Sequence, residues 1–352
     1  DTITPTTITL SDVNGAEGTS HTITATVDHV VTGNDLVITL SNGKEITIAV
    51  GATSGTSAAF AIQSDDVYVD GDAYSVGISG TAGGNFESLV TTDTSTVTVV
   101  DTIDTTSVSL TAAPDLTEDG GNLTYTATLG SPVLAGDDPV VVSFTDLNGA
   151  ARSITITGGN ATGTYVATIP EALYEDVYSE AAADITIATN VSVAGGNFEA
   201  LGTPSVGTIA LTDSIDNTNA TLTSVGSGDE DSGSITYTVT LNNAPQADQL
   251  FSITLSNGQS ATITVASGAL TGAITFGWGA GAIAGTQALT GYPNSDAYSE
   301  APVDISVSTF TASGAGGNFE QLTPINSSTP VTIADTITPT TITLSDVNGA
   351  EG

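Results

Sequence analysis

The sequence contains no cysteine. Disulfides, thiolate catalysis and Cys-ligated zinc are therefore excluded, and any staple in this chain is ionic. Basic residues are nearly as scarce: Lys44 and Arg152 stand against 39 Asp and Glu, for a formal net charge of −37 over 352 residues. Nucleic acid is excluded as a partner, because phosphate contacts need clustered Lys and Arg. Anionic membrane surfaces are disfavoured on the same ground. No apolar run approaches the ~18 residues of a membrane helix and no basic-then-apolar leader opens the chain, so no membrane insertion is expected in this segment. Ser-His-Asp, metal-His and phosphate-loop patterns are missing too. His21 and His29 sit in or beside alternating runs, where histidines without a chemical role are common. No enzyme is expected.

The chain is not too polar to fold: 39% of its residues are apolar, with dense alternation of Val, Ile and Thr. Its organising feature is repetition. Asp101-Thr102-Ile103-Asp104-Thr105-Thr106 returns as Asp213-Ser214-Ile215-Asp216-Asn217-Thr218. Weaker forms, with Thr4-Pro5 and Thr338-Pro339 in place of the second aspartate, begin at Asp1 and Asp335. The first aspartates are 100, 112 and 122 residues apart. Such a period means tandem copies of one domain. The division is 1–102, 103–214 and 215–336, with 337–352 as the first strand of a fourth repeat. Residues 335–352 repeat residues 1–18 without a change, so the sequence reads as an excerpt of a longer array.

Within each repeat the order of phrases is constant. Residues 22–27 alternate apolar and polar side chains with period two, the pattern of a half-buried strand, and 36–40, 46–50, 57–62, 74–78 and 96–100 read as further strands. Asn42-Gly43 between two such runs predicts a hairpin with a type I′ turn, and Asn148-Gly149 and Asn257-Gly258 repeat it. About seven short strands per hundred residues, with no helical periodicity, predict an all-β chain of tandem immunoglobulin-like Greek-key β-sandwiches in an elongated rod.

Spacing picks out the acidic residues that matter. Phe86, Phe198 and Phe319, each in a Gly-Gly-Asn-Phe-Glu phrase, precede the next joint aspartate by 15, 15 and 16 residues. The stretch from Glu17, Glu118 and Glu230 to Asp66, Asp176 and Asp296 grows from 49 to 58 to 66 residues, so the variable loops lie in mid-domain. An isolated Asp-x-Tyr-x-Asp is an ordinary turn. Three in-phase copies beside an acidic joint predict a metal site at each joint. The candidate ligands are Glu17, Asp66, Asp70, Asp101 and Asp104 in the first repeat. Glu118, Asp176, Glu180, Asp213 and Asp216 follow in the second, and Glu230, Asp296, Glu300 and Asp335 in the third. All-oxygen sets of this size suit calcium better than magnesium. The joint at Asp335, with Thr338-Pro339, is expected to be the weaker one.

Val13-Asn14-Gly15-Ala16-Glu17-Gly18, Asp65-Asp66-Val67-Tyr68-Val69-Asp70, Gly83-Gly84-Asn85-Phe86-Glu87 and the Asp101/Asp104 joint together resemble the immunoglobulin-like extender repeats of giant RTX biofilm adhesins of Gram-negative bacteria. The Asp-Asp-x-x-x-acid phrase is also similar to Calx-β domains. The resemblance covers all three repeats and implies calcium within and between neighbouring repeats of the same polypeptide, a stiff stalk, type I secretion and an extracellular place on the cell surface. The RTX nonapeptide itself is missing from this stretch, so the resemblance is to the stalk and not to the tip.

Two other functions are weighed. Trp278, the single tryptophan, lies in a Gly-rich insertion running to Gly291-Tyr292-Pro293. An exposed Trp and Tyr there would serve a carbohydrate- or protein-binding module, although a buried anchor is the commoner fate of such a residue. Self-assembly into a fibre, with residues 335–352 docking where residues 1–18 sit in a neighbour, is the other.

Overall fold

The computed structural model describes residues 3–346 and Gly349, apart from Ile283, residues 293–295 and Ala315. Asp1 and Thr2 of the first joint phrase, Pro293 of the insertion, and residues 347, 348 and 350–352 of the terminal repeat thus lie outside the described residues. Among the described residues strands make up almost all the regular structure, with one short 3₁₀ turn at Glu171–Leu173. The chain divides into two compact units. One comprises Asp1–Pro114, Asn122–Ile169 and Ile185–Ile209; the other comprises Asp115–Gly121, Pro170–Asp184 and Ala210–Gly352.

In the first unit, repeat one is a two-sheet sandwich. Leu89–Val90, Thr6–Leu10, Thr24–Val27 and Ser54–Thr56 form one sheet; Val13–Ala16, Thr94–Val100, Ala73–Ala82, Leu36–Leu40 and Glu45–Ile48 form the other. Burial alternates along Thr6–Leu10 and Leu36–Leu40, and the inward residues Ile8, Leu10, Ala25, Val27, Leu36, Ile38, Ile46, Val76 and Val97 meet in one core. This is how a period-two sequence buries one face of each sheet. The same unit carries the paired strands Val108–Ala113 and Gly120–Leu129, and the sheet of Val140–Thr145 with Ala151–Ile156 and Thr189–Gly195. Leu110, Tyr125, Val142, Phe144 and Ile154 on these strands are buried, and the Tyr125 and Phe144 rings meet at 4.9 Å.

The second unit holds repeat three. Its larger sheet runs Gln287–Ala288, Thr271–Gly279, Ser232–Leu241, Asn217–Gly228, Gln321–Asn326, and it faces Ser260–Val265, Gln249–Leu255 and Val307–Ser313 across a core containing Tyr237, Phe251, Phe276 and Trp278.

Three local expectations change, and Trp278 takes the commoner of the two fates weighed for it. The Asn-Gly hairpins are not type I′. Gly43 has φ +78° but Asn42 is not in the left-handed region, and Gly43 N–H donates to Leu40 O (3.0 Å) while Leu40 N–H donates to Lys44 O (2.8 Å). That is a type I turn closed by a left-handed glycine, and the Asn42 carboxamide oxygen fixes it by accepting from Lys44 N–H at 3.1 Å. Residues 57–62 do not form one strand. Ser54–Thr56 and Phe60–Ala61 are separated because Ser57 turns in to bond Ile23 through both its backbone N–H and its hydroxyl oxygen. Trp278 is only 1% exposed, with its indole N–H given to Asp229 O at 2.6 Å and its ring beside Tyr292, so it anchors the insertion and offers no face to a sugar. Residues 337–346 form no strand: Ile342 and Leu344 are 83% and 87% exposed, whereas Ile8 and Leu10 in the identical segment are 0% and 6%. A single strand with no neighbours has no face to bury.

One topological device places the acidic residues. In each repeat the segment leading to the first in-phase glutamate (Glu17, Glu118 or Glu230) runs parallel to the closing strand. Val13–Ala16 lies beside Thr94–Val100, Leu116–Thr117 beside Thr208–Thr212, and Asp229 bridges Ala334. The glutamates thereby dock on the closing strand just before the joint aspartate. Glu17 N–H donates to Val100 O, Glu118 N–H to Thr212 O and Glu230 N–H to Ala334 O, at 3.1, 3.1 and 3.0 Å.

Candidate metal centre

Glu17, Glu118 and Glu230 are almost fully enclosed, at 2%, 6% and 2% exposure. Burying three carboxylates of one kind is costly unless each has a partner. In the first unit, Glu17, Asp70 and Asp101 bring one oxygen each to within 4.8 Å of one another. Glu17 Oε1 accepts from the backbone N–H and the hydroxyl of Thr102 (2.9 and 3.3 Å), and Asp70 Oδ1 accepts from Gln63 Nε2 (2.6 Å). The oxygens turned into the group, Glu17 Oε2 and Asp101 Oδ1, are buried and receive no hydrogen bond. Close behind Asp101, a Cβ on Gly71 would come within 2.6 Å of its Oδ1, so glycine leaves room for the carboxylate.

A further carboxylate comes from the following repeat. The Asp65–Asp70 segment lies against the Gly-Gly-Asn-Phe-Glu phrase of repeat two: Val69 N–H donates to Asn197 O, Glu199 N–H donates to Val67 O, and the Tyr68 and Phe198 rings lie 5.2 Å apart. Glu199 Oε2 accepts from Asp104 N–H at 2.6 Å, and its Oε1 is buried without a donor. The Asp104 N–H draws the Glu199 carboxyl down, but desolvation and the charges of Glu17 and Asp101 outweigh it and leave it above its ordinary value. Desolvation and the charges of Asp66, Asp101 and Glu17 likewise raise Asp70, although much of that residue faces solvent.

The second unit repeats the construction with more charge. Glu118, Asp213 and Glu320 form a group within 4.8 Å. Glu320 arrives as Glu199 does: Glu320 N–H donates to Val177 O, Ser179 N–H donates to Asn318 O, the Tyr178 and Phe319 rings stack at 5.8 Å, and the Glu320 carboxylate accepts from Asp216 N–H. Glu180 N–H donates to Asp213 Oδ2 at 3.2 Å. Desolvation, then Asp213, Glu180, Asp176 and Glu320, push Glu118 up to about 7. Glu175 also rises to about 7, first because its carboxyl meets that of Asp216 and then through desolvation. Desolvation with the Asp176 and Asp213 charges raises Glu180, and desolvation with Asp213 raises Glu320 against the pull of the Asp216 N–H. Glu118 Oε2, Asp213 Oδ1, Glu320 Oε1 and Glu175 Oε1 are buried without donors.

At the third joint, Glu230 Oε1 accepts from Thr336 Oγ1 (2.6 Å) and Asp335 Oδ2 from Glu300 N–H (3.1 Å), leaving Glu230 Oε2 and Asp335 Oδ1 buried and undonated. No group of three forms there among the described residues. Asp66, Asp176 and Asp296, expected as ligands, each accept through Oδ1 from the N–H two residues on, at Tyr68, Tyr178 and Tyr298. They shape the turn that aims the tyrosine, and the charges of Asp66 and Asp176 are felt by Asp70 and by Glu118 and Glu180. Asp104 and Asp216 contribute their N–H to the clasp, and the Asp216 carboxyl faces Glu175.

Sequence spacing missed Glu199, Glu320 and Glu175. The constant interval from Phe198 and Phe319 to the next joint was the available signal, but it counts forward, whereas Glu199 and Glu320 fold back onto the joint behind them. The chain's two basic residues are of no help to these groups. Lys44 lies in a hairpin turn, and Arg152 binds the buried Asp146 at 2.8 Å with its guanidinium over Tyr165. Clustered carboxylate oxygens with free lone pairs and no ammonium or guanidinium partner fit a hard divalent cation.

The sequence profile of the LapA domain matches residues 4–102, 104–214 and 216–336. No curated protein matches the chain. Among solved structures, the I9–I11 tandem of titin is similar at 11% identity, covering 92% of this chain and 100% of that one, with a TM-score of 0.17. Latent dimeric PorU from Porphyromonas gingivalis (11% identity, 94% of this chain, 34% of that one, TM-score 0.18) is another. So is Escherichia coli alpha-2-macroglobulin activated by porcine elastase (12%, 77%, 31%, 0.19). The chain spans about a third of the length of the last two. Overlays of this quality say nothing of how repeats are arranged, and the sandwich fold stands on the sheets themselves.

Proposed function

Because the chain belongs to the LapA domain family, and LapA is a large biofilm adhesin, we propose that it is a length of adhesin stalk in which calcium ions fasten each sandwich to the next. The reading places it outside the cell, on the surface of a Gram-negative bacterium, carrying an adhesive module at a distance. Its role is mechanical, and no catalytic step is needed.

The observation that carries the reading is the set of buried, undonated oxygens: Glu17 Oε2, Asp101 Oδ1 and Glu199 Oε1 in one unit; Glu118 Oε2, Asp213 Oδ1 and Glu320 Oε1 in the other. Two such charges ~4 Å apart repel by about 4 kcal/mol at an effective dielectric near 20. A bound cation turns that repulsion into attraction. Glu17, Asp70, Asp101 and Glu199 would hold one ion; Glu118, Asp213 and Glu320 would hold another. Calcium accepts the six to eight oxygens that crowded, partly exposed carboxylates supply, whereas magnesium demands a tighter octahedron. Since Glu199 and Glu320 belong to the repeat after the other ligands, ion binding and repeat docking are one event.

An ion that binds only the folded protein stabilises it by about 2.7 kcal/mol when its free concentration is 100 times Kd. In a calcium-poor cytosol that contribution vanishes and the repulsion remains, a state suited to type I secretion as an unfolded chain. Thermal melting in calcium against EGTA tests the reading: a higher Tm in calcium, diminished in Glu17→Gln, is expected. An unchanged Tm would overturn it.

A further inference from the structure

The first and second joints draw their carboxylates together from different sides. At the first, the three oxygens within 4.8 Å of one another belong to Glu17, Asp70 and Asp101, all of repeat one. At the second they belong to Glu118 and Asp213 of repeat two and to Glu320 of repeat three. The positions correspond one to one: Glu17 to Glu118, Asp70 to Glu180, Asp101 to Asp213 and Glu199 to Glu320. Both joints thus hold the same four kinds of carboxyl. Glu199 touches the first group through Glu17, and Glu180 touches the second through Glu118. Glu17 and Glu118, 2% and 6% exposed, each turn an undonated oxygen into their group. What differs is the neighbour that the joint aspartate joins.

One small residue beside that aspartate differs too. Asp70 is followed by Gly71, whereas Glu180 and Glu300 are followed by Ala181 and Ala301. Asp101 Oδ1, the undonated oxygen of the first group, lies 2.6 Å from where a Cβ on Gly71 would stand, and Asp101 Cγ lies at 3.1 Å. Val99 O is next, at 3.2 Å. An alanine at this position would therefore have to displace the carboxylate. Where alanine is present the aspartate turns another way: Asp213 Oδ2 accepts from Glu180 N–H at 3.2 Å, and Asp335 Oδ2 from Glu300 N–H at 3.1 Å. The Asp213 carboxyl then meets that of Glu320. Asp70 is also held in place, because Gln63 Nε2 donates to its Oδ1 at 2.6 Å. The corresponding residue of repeat two is Leu173, whose side chain has no donor.

We propose that the residue after the acidic end of the Asp-x-Tyr-x-acid phrase is a positioning residue: glycine there lets the joint aspartate approach the acid of its own repeat, and alanine drives it toward the glutamate of the next. This role presupposes the cation reading given above and deepens it. At the first joint one repeat supplies three ligands and Glu199 adds to them, so the ion needs the following repeat less. At the second joint the third ligand arrives only with repeat three. Docking there raises calcium affinity by the same factor as calcium favours docking. A single methyl group thereby sets how tightly calcium is tied to the clasp.

Calcium titration of the 352-residue protein, followed by hydrogen exchange at the Glu17 and Glu118 amides that the closing strands hold, reads the two joints separately. Gly71→Ala should raise the calcium midpoint at Glu17 about tenfold, the scale on which a misplaced ligand weakens a metal site, and leave the midpoint at Glu118 unchanged. Gly71 has a backbone conformation open to alanine, so Tm in EGTA should not fall. The reciprocal variant, Ala181→Gly, removes one methyl group from an exposed position and frees Asp213 to approach Glu180. In that background Glu320→Gln should raise the midpoint at Glu118 by a smaller factor than it does in the unmodified protein, a coupling that a purely structural residue 181 would not produce. A midpoint at Glu17 indifferent to Gly71→Ala, or a Glu320→Gln penalty that Ala181→Gly leaves unaltered, overturns the assignment and keeps the stalk reading. Exchange that ignores calcium at both joints overturns the two together.

Discussion

The joint at Asp101 and the joint at Asp213 share a backbone and differ in charge. In both, a glutamate docks on the closing strand, and an Asp-x-Tyr turn clasps an Asn-Phe-Glu segment. In both, that segment's glutamate caps the N–H of Asp104 or Asp216. Around this frame the first joint has Gly18 and Asp65, and Asp65 is quietened by the Thr102 hydroxyl at 2.9 Å. The second has Asp119 and Glu175 at those places, and Glu175 meets Asp216 carboxyl to carboxyl, with only Ser214 Oγ to relieve it. The clasp is thus fixed by backbone and aromatic contacts, while the electrostatic load it carries is free to vary. On the proposed reading, the more heavily loaded joint has the greater need of a cation.

Removing calcium should produce the largest effect and should separate the joints. Loss of ions worth a few kcal/mol lowers Tm by on the order of 10 °C for domains of this size. Hydrogen exchange in EGTA should open the amides of Asp216 and Glu320 before those of Asp104 and Glu199. Simultaneous opening would show that the extra acids at the second joint do not matter.

Acidity gives the next contrast. Glu118 and Glu175 ionise near 4.5 ordinarily and at about 7 in the folded protein. Between those values the native state keeps protons that the unfolded chain has released, so this contribution to stability is full below 4.5 and is lost as pH rises through 7. In EGTA the protein should therefore melt lower at pH 8 than at pH 5, against the usual behaviour of salt-bridged carboxylates. Glu118→Gln should flatten the slope. Calcium should flatten or reverse it, because the metal favours the ionised ligands. A melting curve series across pH, with and without calcium, checks all three.

These contrasts also mark what was legible in the sequence. Alternation along residues 36–40 reports directly which side chains face the core, because strand geometry has a period of two, and the sandwich followed from it. The group of Glu17, Asp70 and Asp101 was within reach because all three belong to one repeat and recur in phase. Glu199 was not, since nothing local in Gly-Gly-Asn-Phe-Glu says that it folds back onto the joint behind it. The turn at Asp66 was not legible either: its spacing is that of a ligand, and an aspartate two residues before an unpaired N–H also accepts from that N–H, as Asp66 Oδ1 does from Tyr68. The Asn42-Gly43 turn misled because the same dipeptide serves either hairpin type, and the extra residue in the loop decided between them.

Charge removal at the clasp should give a smaller effect than chelation. Glu199→Gln and Glu320→Gln keep the hydrogen bond to the Asp104 or Asp216 N–H and delete one negative charge from the group. Each should weaken calcium binding at least about tenfold at its own joint, measured by titration calorimetry. Glu320→Gln should also raise Tm in EGTA, and more than Glu199→Gln does, since it relieves the joint with more crowded carboxylates. Equal gains would erase the distinction between the joints.

The smallest effect tests the part the joints have in common. Tyr68→Phe and Tyr178→Phe each remove one hydroxyl, donated to Pro132 O and Ala244 O respectively, and leave the ring on Phe198 or Phe319. Each should cost about 1 kcal/mol, the net worth of a hydrogen bond whose acceptor remains partly accessible to water. The two losses should agree within about 0.5 kcal/mol and should be the same in calcium and in EGTA, because neither hydroxyl touches the acidic groups. A Tyr178→Phe loss several times that of Tyr68→Phe would mean that charge and clasp are coupled, and that the second joint leans on its tyrosine to hold its carboxylates together.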